Sequence, residues 1–208
     1  MTRIALFGTS ADPPTAGHQA ILEQLSQGFD QVVVWASDNP FKIHQTPLYH
    51  RQEMLRLLIQ DMPALKQNVA LCTEFSDPKA LITVKRASQR WPEAKLTFVV
   101  GSDLVPKLCQ WYRIDAVLSQ VQLLVIPRPS YPLVERDLEQ LRSRGAKIGI
   151  AKFSGPDVSS SAYRDQGKAA GITPAVAAYI HHQGLYPCVD SGVLPVSEGN
   201  LPGPVVIP

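Results

Sequence analysis

No apolar stretch in this chain of 208 residues approaches the ~20 residues that a membrane span requires. The N-terminal MTRIALFG also lacks the longer apolar segment and cleavage site of a signal peptide. The expected compartment is therefore the cytoplasm, with no membrane partner. Long Lys/Arg runs are missing too, and the net charge is only +2, which argues against nucleic acid as a partner and leaves any anion to be bound locally. Cysteine is scarce. Cys72, Cys109 and Cys188 are odd in number, widely spaced and without a Cys-x-x-Cys pair, so free thiols in a reducing compartment are expected. With His44, His50, His181 and His182 they make no zinc-finger pattern, and no protein-held metal is expected.

What the chain does have is alternation. Hydrophobic residues make up 45% and charged residues 18%, a balance that suits one globular unit. Short apolar runs at Ile4–Phe7, Val32–Trp35, Val69–Cys72, Leu96–Val100 and Val121–Ile126 predict strands. Between them, apolar residues recur at helical spacing: Ile21, Leu25 and Phe29, then Met54, Leu55, Leu58 and Ile59, then Leu81, Val84 and Ala87. Strands that are almost wholly apolar and alternate with helices predict a doubly wound α/β fold with a parallel sheet, Rossmann-like, covered on both faces. A polar helix at Glu135–Ser143, a last strand at Lys147–Ile150 and two C-terminal helices at Ser159–Lys168 and Pro174–Gln183 complete the expectation. Residues 1–188 thus form one domain, and 189–208, punctuated by Gly and Pro, are expected to be a mobile tail.

The first strand runs directly into GTSADPPTAGH, Gly8 to His18. In an α/β protein such a strand-to-helix turn lies at the carboxyl edge of the sheet, where backbone N–H groups and the positive end of a helix dipole attract phosphate. A histidine at the start of that helix has a capping role open to it as well as a phosphate-binding one. Far downstream stands Val158-Ser159-Ser160-Ser161-Ala162-Tyr163-Arg164.

The first segment resembles the (T/H)-x-G-H signature of the nucleotidyltransferase superfamily, and the second resembles its I-S-S-x-x-x-R signature. The two occur in the expected order. Within that superfamily, residues 1–187 resemble nicotinate mononucleotide adenylyltransferase. Asn39-Pro40-Phe41-Lys42 is similar to the family's P-P-H-K. Gly101-Ser102-Asp103 is similar to its G-x-D, Trp111-Tyr112-Arg113-Ile114 to its W-Y-K-I, Arg128-Pro129 to its R-P and Gly184-Leu185-Tyr186 to its final G-L-Y.

The resemblance implies transfer of the adenylyl group of ATP to nicotinate mononucleotide, with Mg²⁺ carried on the ATP phosphates and no covalent enzyme intermediate. It implies His18, Lys42 and Arg164 as catalytic residues. ATP would lie against Gly8, Thr9, Ser10, Gly17, His18, Gly101, Asp103, Ser159, Ser160 and Arg164, and the mononucleotide against Thr15, Lys42, Thr83 and Trp111, the last stacked on the nicotinate ring. Structural roles stand beside these: a solvated Lys42, a helix-capping Asp103, a core Trp111. A homo-oligomer is left open.

The departures are Thr15 for the first His of H-x-G-H, Thr9 and Ala11 in the preceding turn, and Ile82-Thr83-Val84-Lys85-Arg86 where the family has Y-T-x-D-T. They keep three alternatives in play: a nicotinamide mononucleotide adenylyltransferase, a phosphopantetheine adenylyltransferase, and a nucleotide-binding regulator without turnover. At the altered Y-T-x-D-T, Lys85 and Arg86 are candidates to favour an anionic ring substituent.

Overall fold

The computed structural model describes residues 1–38, 42, 45–62, 67–153, 160–166 and 171–186. The expectations for Asn39–Phe41, His44, Ser159, Cys188 and the tail at 189–208 fall outside these. The described chain runs β1 (Arg3–Thr9), α1 (Ala16–Gly28), β2 (Gln31–Ala36), α2 (Leu48–Gln60), β3 (Val69–Leu71), α3 (Ala80–Arg90), β4 (Lys95–Gly101), α4 (Ile114–Leu118), β5 (Gln122–Ile126), α5 (Glu135–Ser143), β6 (Ile148–Ile150), α6 (Ser160–Gln166) and α7 (Pro174–His182). Two 3-10 segments, Thr73–Phe75 and Ser102–Gln110, were not foreseen from periodicity. Neither was the five-residue α4.

All strand pairs are parallel, in the order β3-β2-β1-β4-β5-β6. The order reverses between β1 and β4. At that switch point the loops leave in opposite directions, and a crevice opens at the carboxyl ends of the strands.

Alternation along the strands feeds two cores. On one face Ile4, Leu6, Val33, Phe98 and Val100 pack under α3, α4 and α5. On the other, Ala5, Phe7, Val32, Val34 and Val99 pack with Leu22 and Leu25 of α1, Met54, Leu55 and Leu58 of α2, and Val176 and Ile180 of α7. Strands buried on both faces read as continuous apolar runs, which is why they were visible in the sequence. The His50 ring nitrogen Nδ1 lies 2.8 Å from the Tyr179 hydroxyl, joining α2 to α7. Cys72 and Cys109 are free thiols. Among the described residues no helix is long and apolar enough to cross a membrane.

Candidate active site

Two cavities open at the switch point, side by side. The first, of about 160 Å³, is polar and takes residues from both ends of the chain. Gly8, Thr9 and Ser10 come from the end of β1, His18 from α1, Lys42 from beyond β2, Gly101 and Asp103 from the end of β4, and Ser160 and Arg164 from α6. All but Lys42 were expected from the sequence against ATP; Lys42, expected as a catalytic residue and against the mononucleotide, lines this cavity and not its neighbour. Gly17, expected with them, is buried at the second position of α1.

His18 stands at the third position of α1, where a Glu or Gln closes a capping box in other helices. Its Nδ1 accepts the Thr15 backbone N–H at 3.0 Å. A backbone N–H can only donate, so Nδ1 must be the unprotonated nitrogen of a neutral ring, and Nε2 carries the proton. Burial, followed by the nearby Arg128 and Lys42 charges, lowers the His18 pKa from 6.5 to about 4. His18 is therefore a neutral hydrogen-bond donor with a fixed tautomer.

Thr15 explains that tautomer. It is 2% exposed, its Oγ1 lies 3.0 Å from His18 Nδ1, and it does not line the cavity. Thr15 was expected against the mononucleotide, and its hydroxyl here faces His18. Thr83, implied at the mononucleotide through its backbone, also has its hydroxyl occupied. It is 1% exposed in α3, its Oγ1 donates to the Phe75 carbonyl at 2.8 Å, and it lines neither cavity.

The cations that line the cleft are each tethered by a hydrogen bond or an ion pair. Lys42 Nζ donates to Ser10 Oγ at 2.8 Å, and its pKa is lowered first by desolvation in the cleft and then by Arg164. Arg164 donates to the Asp12 carbonyl and, at 3.2 Å, to Ser161 Oγ. Ser160 Oγ donates to the Pro13 carbonyl at 2.8 Å. Arg128, which the sequence suggested only as part of a structural R-P match, lines the cavity with its Nε 3.3 Å from an Asp103 oxygen. Its position directly after β5, on the carboxyl edge of the sheet, was the available signal. Gly101 makes this pair fit: a Cβ there would stand 2.3 Å from Asp103 Oδ1 and 3.1 Å from Arg128 Nε.

Lys42, Arg128 and Arg164 against Asp103 leave a surplus of positive charge, the complement of a polyphosphate. Among the described residues no group of three or more His, Cys, Asp or Glu is placed to hold a metal ion.

The loop from Ser10 to Pro14 is anchored from below and from the far end of the chain. Arg51, 2% exposed, donates to the carbonyls of Ser10 at 3.0 Å, Ser37 at 2.7 Å and Thr46 at 2.8 Å. The Tyr186 hydroxyl donates to Asp12 Oδ1 at 2.6 Å, and the Ala16 N–H reaches the Gly171 carbonyl at 2.6 Å. Ala11, wholly buried, takes φ 47°, a left-handed backbone that such anchoring must hold in place. None of these ties was read from the sequence.

The second cavity, of about 350 Å³, is mostly apolar and is walled by Trp35, Phe98, Leu104 and Trp111, with Tyr112 and Lys79 at its edge. Phe98 and Trp111 meet edge to face, with ring centroids 6.0 Å apart. Trp111, expected to stack on the nicotinate ring, is part of this wall, while Trp35 was seen only as part of a strand. A Cβ on Gly8 would stand 2.6 Å from the Trp35 ring, so only glycine lets the indole cross β1 there. Gly8, Ser37 and Leu104 line both cavities and form the wall between them. A cationic cleft and an aromatic pocket thus share an edge, an arrangement able to bring two anionic nucleotides together.

Residues 6–166 match the model of the Cytidylyltransferase-like family. A Synechocystis protein named "Probable nicotinate-nucleotide adenylyltransferase" is 42% identical over 197 residues, covering 88% of this chain and 98% of that one. The nicotinate-nucleotide adenylyltransferase of Bacillus subtilis is 28% identical over 204 residues, covering 89% and 99%. Among solved structures, Plasmodium falciparum nicotinic acid mononucleotide adenylyltransferase complexed with NaAD aligns with a TM-score of 0.74 at 20% identity, covering 89% of this chain and 98% of that one. This last likeness is one of fold.

Proposed function

The chain belongs to the nicotinate-nucleotide adenylyltransferase family of Cytidylyltransferase-like proteins, and from that premise we propose that it transfers the adenylyl group of ATP to nicotinate mononucleotide, giving deamido-NAD and pyrophosphate. The observation that carries the reading is the shared wall: a cationic cleft and an aromatic pocket meet at Gly8, Ser37 and Leu104.

In this reading the acceptor's phosphate oxygen attacks the α-phosphorus of ATP, and pyrophosphate leaves. The work is positioning and charge stabilisation, with no enzyme nucleophile. His18 donates through Nε2–H to the phosphates. Being neutral and tautomerically fixed, it neither titrates nor reorients in the working pH range. Lys42, Arg164 and Arg128 hold the charge that develops as pyrophosphate departs, together with Ser160 and, outside the described residues, Ser159. The backbone at Gly8, Thr9, Ser10 and Gly101 borders the nucleotide. Asp103 accepts from the ATP ribose while shared with Arg128. Trp111 stacks on the pyridine ring. Mg²⁺ arrives with ATP, whose phosphate oxygens are the ligands it prefers. Free thiols at Cys72 and Cys109 suit a reducing compartment, in keeping with cytoplasmic NAD synthesis.

The test is pyrophosphate release by the purified full chain with ATP and, separately, nicotinate mononucleotide, nicotinamide mononucleotide and phosphopantetheine. Turnover with phosphopantetheine alone would overturn the acceptor assignment. ATP binding without turnover on any acceptor would mark a regulator.

A further inference from the structure

We propose that Lys79 is the specificity-determining residue that makes the aromatic pocket prefer an acceptor bearing an anionic group on its ring. The inference rests on the functional reading above and adds to it the residue that separates nicotinate from nicotinamide.

The charged groups lining the pocket are Asp38, Asp77 and Lys79. Asp77 is already satisfied: its Oδ2 lies 3.3 Å from Arg86, and its Oδ1 accepts the Lys79 backbone N–H at 2.9 Å. Asp38 stands close enough to Arg51 to act on its ionisation. Lys79 forms no ion pair among the described residues. Its Nζ instead sits 5.0 Å from the centroid of the Tyr112 ring, and Tyr112 itself lines the pocket. A cation–π contact of this kind holds the ammonium beside a ring that lines the cavity without neutralising it.

The rest of the wall is Trp35, Phe98, Leu104 and Trp111. Lys79 is exposed beside these apolar walls, and its charge, paired with no carboxylate among the described residues, attracts a ring carboxylate held between them. A neutral carboxamide gains much less from the same ammonium.

The other two candidate cations of this segment do not reach the pocket. Arg86 is tied to Asp77 and, at 2.9 Å, to the Glu74 carbonyl, and neither Arg86 nor Lys85 lines the cavity. Lys79 precedes α3 by one residue, so its backbone is fixed by the helix while its side chain stays free to swing between Tyr112 and a ligand.

The experiment compares the wild-type full chain with Lys79→Ala, Lys79→Glu and Lys79→Arg. It measures kcat and KM for both mononucleotides at saturating ATP, and the dissociation constant of each mononucleotide by calorimetry. Lys79→Ala is expected to cut the preference for nicotinate mononucleotide about tenfold, through its KM, as for the loss of one charge-assisted contact. Lys79→Glu is expected to cut it further, and Lys79→Arg to retain most of it. Unchanged ratios in both Lys79→Ala and Lys79→Glu would overturn the proposal. Failure of the functional reading looks different: the wild type would then release no pyrophosphate with either mononucleotide, while the ratio of dissociation constants would still report on Lys79.

Discussion

The polar cleft and the aromatic pocket share a wall, yet they are made in different ways. The cleft takes its groups from loops and helices along the whole chain, and each is held by a directed hydrogen bond: His18 through Nδ1, Lys42 on Ser10, Arg164 on the Asp12 carbonyl. The pocket is an extension of the core. Trp35, Phe98 and Trp111 form a chain of rings, with centroids 6.1 and 6.0 Å apart, continuous with Phe75 and the packing under α3. Function in the cleft therefore depends on angle and proton position, and function in the pocket on area. Damage to the first should appear in kcat, and damage to the second in KM.

The sharpest test of that division is His18→Ala. Losing one preorganised donor should lower kcat by about 10²- to 10³-fold while the mononucleotide KM stays near its original value. A near-normal kcat in steady-state assays would remove His18 from the chemistry.

The cleft should also respond to acid in a way the pocket does not. Between about pH 4 and 6.5 the unfolded chain binds a proton at His18 and the folded chain does not. The His18 contribution is thus whole above pH 6.5 and is lost, by of order 3 kcal/mol, as pH falls to about 4. Urea unfolding at pH 7 and pH 5 should show a smaller acid loss in His18→Gln than in the wild type. Equal losses would mean that His18 titrates normally.

For the pocket, Trp111→Ala should raise the mononucleotide KM by roughly tenfold and leave the ATP KM alone, as expected when an aromatic stacking face is removed. A rise confined to ATP would place the tryptophan on the wrong side of the wall. The smallest effect is expected from Thr15→Val, which deletes Oγ1 but keeps the N–H that fixes the His18 tautomer: a fall in kcat of about threefold or less, of the size of one ordinary hydrogen bond. If instead the mononucleotide KM rises, Thr15 reaches the acceptor after all.

How far each region could be read from sequence follows the same contrast. The sheet was legible because strands buried on both faces are unbroken apolar runs, and Leu96–Val100 falls within the observed β4. The 3-10 segment at Ser102–Gln110 was not, since Pro106 interrupts it and its turns are too few to show a period. The cleft was legible where its residues belong to contiguous motifs, as with His18, Asp103 and Arg164. Where the Thr15 and Thr83 hydroxyls point was not legible, because a hydroxyl goes to whichever buried partner is nearest, here His18 Nδ1 and the Phe75 carbonyl, and only the packed chain decides that. Arg128, Trp35 and Tyr186 were undervalued for a related reason. Each gains its role by meeting residues distant in sequence: Asp103, the bare backbone of Gly8, and Asp12.

The bond between Tyr186 and Asp12 joins one of the last described residues to the loop after the first strand. Synthesis delivers these partners in the opposite order from the one the cleft needs. β1 and its loop leave the ribosome early, and the hydroxyl that steadies that loop arrives only after the sheet and α7 have been made. A nascent chain can therefore hold its whole sheet while the cleft beside β1 still waits for this anchor.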